Sequence, residues 1–150
     1  MTLRTLRRLG AIAILAVGAV HLQEYLGGGY RSIPTIGPLF LLNAISSGIV
    51  AIGLLAPLER ILHHRRAELM SGLLAGAGLA IAAGSLLALF VSENGTLFGF
   101  QETGYGTAIV LAIVAEALAV MLLAPVAAVS LKRAALGDSA PGMNRAVNSR

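Results

Sequence analysis

Long apolar runs separated by short polar breaks dominate the chain: Leu9 to Leu26, Gly37 to Leu58, Leu69 to Ser92 and Gly106 to Leu131. Each is close to the ~20 residues that cross a ~30 Å hydrocarbon core as a helix. None alternates apolar and polar positions as a half-buried strand would, and a membrane barrel needs about eight strands or more. The pattern predicts an all-α protein, a bundle of four transmembrane helices within residues 1–136. The remaining segment, 137–150, is rich in Gly, Ser, Pro and Asn and has no apolar period, which predicts a disordered tail.

Composition agrees. Charged residues make up 12% of the 150 residues, and hydrophobic residues 57%. Soluble domains carry roughly 25% charged residues. Mean hydropathy is +0.83. A soluble core of this size could not bury so much apolar surface, so the lipid bilayer is the expected partner. There is no cysteine, which excludes disulfides, thiol redox chemistry and thiolate metal sites. Four-helix quinone-linked enzymes that act through a Cys-x-x-Cys pair are excluded with them. The start of the chain, with Arg4, Arg7 and Arg8 before Leu9 to Val20, mimics a secretory signal. No small-x-small site followed by a mature-looking segment appears, and the run leads into His21, Gln23, Glu24 and Tyr25, so it is read as an uncleaved first span.

The net charge of +4 is distributed in a telling way. Arg4, Arg7 and Arg8 precede the first run, and Arg60, Arg65 and Arg66 separate the second from the third. Lys132, Arg133, Arg145 and Arg150 follow the fourth, and only Arg31 lies in another connection. Ten of eleven cations therefore fall on one side, which the positive-inside rule makes cytoplasmic. The expectation is an N-in/C-in, multi-pass protein of a bacterial-type cell membrane. Basic clusters interleaved with spans do not form one basic face, so no nucleic-acid partner is expected.

All seven aromatic residues, Tyr25, Tyr30, Phe40, Phe90, Phe98, Phe100 and Tyr105, map to the opposite, outer side. They form either a one-sided interfacial belt or the roof of a pocket opening outward. In the third span Gly72 and Gly76 make a small-xxx-small pair, expected to let helix backbones approach closely. Leu54-Leu55-Ala56-Pro57 recurs as Leu122-Leu123-Ala124-Pro125, a faint sign of a repeated two-helix unit.

Intramembrane ionisable groups are costly and so mark candidate sites. Glu116 lies inside the uninterrupted apolar run Ala108 to Ala124, ~15 Å below the outer boundary. It needs a proton, a hydrogen bond or a cation there. His21 lies ~7 Å deep, with Glu24 and Tyr25 on the same helix face. Asn43 with Ser46 and Ser47 in the second span, and Ser85 in the third, occupy overlapping depths. The candidate ligand-binding set is His21, Glu24, Tyr25, Asn43, Ser46, Ser85 and Glu116. The competing reading is a scatter of unrelated structural hydrogen bonds.

A dihaem centre needs paired histidines within the membrane, and His63 and His64 lie in the basic loop. His21, Glu24 and Glu116 are donors of the right type for a metal, but the pattern is too common to imply one. Gly27-Gly28-Gly29 is followed by Tyr30 and Arg31, not by a phosphate-cradling pattern. No catalytic residue and no cofactor follow from the residues themselves.

The stretch His21-Leu22-Gln23-Glu24-Tyr25, with Tyr30-Arg31-Ser32-Ile33-Pro34-Thr35-Ile36-Gly37-Pro38-Leu39-Phe40-Leu41-Leu42-Asn43, resembles uncharacterised small four-span membrane proteins of high-GC bacteria. The plan of basic start, short proline-containing outer segment and four similar spans resembles the DoxX-like group. Membership would imply association with membrane redox or quinone systems. The expected function is a binding or accessory protein taking a small apolar or amphipathic ligand into the outer half of the bundle. The alternatives are a DoxX-like quinone-linked oxidoreductase or its subunit, and a purely structural subunit packing on other membrane proteins.

Overall fold

A computed structural model describes residues 1–103 and 106–136. The expected tail 137–150 and the placement of Tyr105 lie outside the described residues. Four helices are long and apolar enough to span a membrane: α1 (Leu3–Gly27), α2 (Ile36–Leu55), α4 (His64–Asn94) and α5 (Thr107–Leu136). A single turn, α3 (Leu58–Ile61), and a 3-10 turn (Tyr30–Ser32) lie in the connections. Among the described residues the extended structure is limited to one isolated bridge, Leu97 to Phe100.

Helix ends follow local chemistry more than hydropathy. Thr2 caps α1 by accepting the Thr5 amide at 3.2 Å, so the helix starts before Arg4. α4 likewise starts at His64, because arginine and glutamate are good helix formers although they do not belong in lipid. Pro57 stops α2 three residues before the apolar run ends, because the residue before a proline is driven into extended geometry, as Ala56 is at φ −59°, ψ 144°. Pro125, its counterpart in the repeated tetrapeptide, sits inside α5 without ending it.

The helices run up and down, with α1 between α2 and α5, and α4 along α5 and α2. Ile14 and Val17 of α1, Leu54 of α2, Ala75 of α4 and Leu123 and Val126 of α5 form a closely packed apolar layer across the middle. Large apolar side chains such as Ile12, Ile49, Ile52, Leu73, Leu111 and Met121 point outward. Every long helix thus has a lipid-type face, and association rests on close packing of small residues.

On α4 that packing face is Ser71, Gly72, Ala75, Gly78 and Ala82. A Cβ on Gly72 would lie 2.7 Å from Leu131 of α5, and one on Gly78 would lie 2.7 Å from Leu123. A Cβ on Gly76 would meet nothing within 4 Å. The Gly72–Gly76 pair is therefore not a packing pair. Gly76 is turned about 100° away from Ala75, off the contact stripe. A second close approach joins α1 to α2, where a Cβ on Gly18 would lie 2.8 Å from Ser47 and 3.1 Å from the Ala44 carbonyl oxygen.

The start of α1, α3, the start of α4 and the end of α5 lie together and carry Arg4, Arg7, Arg8, Arg60, Arg65, Arg66, Lys132 and Arg133; we call this the basic end. Here the buried Arg7 reaches Glu59 at 2.9 Å and donates to Ser71 at 3.1 Å. Arg133 pairs with Glu68 at 3.5 Å, and Arg65 donates to the Ala134 carbonyl. A hydrogen bond from its own amide, and then Arg7 beside it, hold the Glu59 carboxyl below its ordinary pKa. The opposite, loop end carries the α1–α2 and α4–α5 connections.

Candidate functional site

Above the apolar layer, the core stripes of three helices continue one more turn and change chemistry. On α1 the buried positions Ile14, Val17 and Gly18 lead to His21. On α4 the positions Gly78 and Ala82 lead to Ser85, and on α5 the stripe Leu123, Ala119 leads back to Glu116. Helical spacing alone thus brings an imidazole, a hydroxyl and a carboxyl to one level. Glu116 is 1% exposed and His21 6%.

The geometry orders the protons. His21 Nδ1 lies 2.9 Å from the Val17 carbonyl oxygen, which can only accept, so Nδ1 carries hydrogen. In the neutral ring Nε2 is then a bare acceptor, and Ser85 Oγ stands 3.0 Å from it. The carboxyl of Glu116 is hydrogen-bonded with Ser85. Its Oε1 is 3.8 Å from His21 Nε2, too far for a direct bond. Ser85 is therefore the link. With Glu116 protonated, the carboxyl donates to Ser85 and Ser85 donates to His21. Moving one proton along each bond gives a carboxylate and an imidazolium joined through the same hydroxyl. The chain stores one proton in either of two arrangements without any heavy atom leaving its place.

These groups floor a cavity of about 100 Å³, enough for several waters or a small organic group. Its walls are apolar, with Val20, Ile36, Leu89, Ile109 and Ala112 among them. Tyr30, Phe40, Leu97 and Phe100 cover it, with Glu24, Ser92 and Glu102 also on the lining. The Tyr30 and Phe40 rings stack at 4.5 Å and 14°, and Phe100 meets Tyr30 edge-on at 5.8 Å. Phe40 also touches the His21 ring, with centroids 4.9 Å apart.

Apart from Phe40, in the second turn of α2, the cover comes from the two connections at the loop end. The Tyr30 hydroxyl donates to Glu102 Oε2 at 2.6 Å, joining the α1–α2 connection to the α4–α5 connection. Burial, and then that hydrogen bond, push the Tyr30 hydroxyl above its ordinary pKa. Leu97 and Phe100 exchange backbone hydrogen bonds around a tight turn, where Phe98 and Gly99 take positive φ. The Glu102 amide donates back to the Ser92 carbonyl, pinning the connection on α4.

Of the seven candidate residues, His21, Ser85 and Glu116 meet directly, and Glu24 lines the same cavity. Asn43 instead accepts a hydrogen bond from Ser47 at 3.1 Å on its own helix, which is the unrelated structural bond that the sequence left open. Asn43, Ser46 and Tyr25 do not line the cavity. The aromatic residues divide: Tyr30, Phe40 and Phe100 form the roof, whereas Phe90 and Phe98 are exposed. Sequence reasoning passed over Glu102 and Ser92. Their only signal was to be polar groups among the rings of the last connection. Among the described residues no three His, Asp or Glu converge to hold a metal ion.

The fold and site define a four-helix bundle of membrane type with an acid–hydroxyl–imidazole chain beneath an aromatic-roofed cavity. Comparison with protein-family models, curated proteins and solved structures found no match.

Proposed function

We propose that this is a binding or accessory protein of the cell membrane that takes a small amphipathic molecule into the loop-end cavity. The carrying observation is that the buried His21–Ser85–Glu116 chain lines a cavity at the loop end. A bundle serving only to pack on a larger complex has no need of it, because buried ionisable groups usually cost stability relative to apolar ones.

Mass spectrometry of the protein purified in mild detergent tests the reading. A small molecule should accompany the parent and be lost from Glu116→Leu; identical extracts would overturn it. A quinone in the parent extract would favour the second reading, a DoxX-like quinone-linked oxidoreductase or subunit. That reading draws on the same chain, since oxidation of a hydroquinone releases protons that His21 can accept.

The orientation is part of the proposal. The cation distribution supports an N-in, C-in topology, so the cavity opens to the outer side. The chain has no native thiol, so single cysteines at the exposed positions His63 and Thr103 report the sides cleanly. In intact cells an impermeant maleimide should label position 103 and spare 63. The reverse pattern would defeat the topology.

A further inference from the structure

Among the described residues that line the cavity, three are carboxylic acids, Glu24, Glu102 and Glu116, and none is lysine or arginine. Beside them stand the rings of Tyr30, Phe40 and Phe100. We propose that the occupant is a small organic cation, a protonated or quaternary amine on an apolar body. The proposal rests on the binding reading above and specifies its ligand class.

The chemistry narrows the choice stepwise. Anions are opposed by three acidic side chains with no fixed cation among them. A neutral apolar molecule would place hydrocarbon against Glu24 and against the partly satisfied carboxyls of Glu102 and Glu116, without adding a partner for any of them. An inorganic cation requires several converging oxygens, and no such group is present among the described residues. An alkylated ammonium fits what remains. Its charge is spread over carbon, so it can lie against alkyl walls and aromatic rings while a carboxylate balances it at longer range.

The roof is suited to such a charge. Aromatic faces attract cations through their quadrupole, and a phenol that donates its proton to a carboxylate has a more electron-rich face. Tyr30 donates in this way to Glu102. That bond also fixes the Glu102 carboxylate beside a cluster of three rings, with Phe40 stacked on Tyr30 and Phe100 against its edge. Apolar surroundings strengthen both attractions.

The test uses the full chain in mild detergent and isothermal titration with tetramethylammonium and with neopentane, its uncharged carbon isostere. The cation should bind at least about tenfold more tightly than the isostere. Glu102→Gln keeps an acceptor for Tyr30 and should fold. It should weaken the cation several-fold and leave the isostere unchanged, and Phe40→Leu should weaken the cation further. Equal affinity for both probes would overturn the charge assignment while leaving the binding reading in place. Failure of both probes to bind the folded parent would overturn this proposal and count against the binding reading as well.

Discussion

Gly18→Leu should cost the bundle about 3 kcal/mol or more, the upper part of the range for overpacking. The reason is the neighbour. A side chain at Gly18 would meet the Ala44 carbonyl oxygen and Ser47 Cβ, both fixed to the α2 backbone, and neither can swing aside. α1 would have to move off α2 as a body. Gly76→Leu is the matched control, because it adds the same side chain facing open space and should melt with the parent. Thermal melting in one detergent checks both. Equal melting of Gly18→Leu and the parent would mean that α1 and α2 do not touch there.

Glu116→Leu should divide fold from function in the opposite sense. The carboxyl is fully buried and held by one hydroxyl, so leucine of similar size should leave stability within about 1 kcal/mol of the parent, or raise it. Bound ligand should fall at least about tenfold, because a charge-assisted contact has gone. Glu116→Gln keeps a hydrogen bond with Ser85 but cannot exchange a proton, and should show the same loss with an unchanged melting temperature. A collapse of stability in Glu116→Leu would make the carboxyl a structural group and remove it from the site.

The four spans were legible because membrane crossing needs ~20 apolar residues, and that requirement is written locally. His21 and Glu116 were legible because cost marks them, and Ser85 because its depth overlapped theirs. Depth along a helix can be counted at 1.5 Å per residue, but the direction a side chain faces depends on neighbours that the sequence does not place. Asn43 and Gly76 show the difference. Asn43 matches His21 in depth yet bonds Ser47 on its own helix, and Gly76 matches Gly72 in spacing yet faces outward. The roof was least legible. Tyr30 and Glu102 are 72 residues apart in two irregular connections, and no local pattern pairs them.

The bond from His21 Nδ1 to Val17 bears on the proton chemistry open to this bundle. A conduit must receive a proton on one nitrogen and release it from the other. Here the second nitrogen is tied to a carbonyl of its own helix, and the apolar layer of Val17, Ile14 and Leu54 lies on the side of the basic end. That arrangement suits a proton held at the loop end better than one passed along the bundle axis.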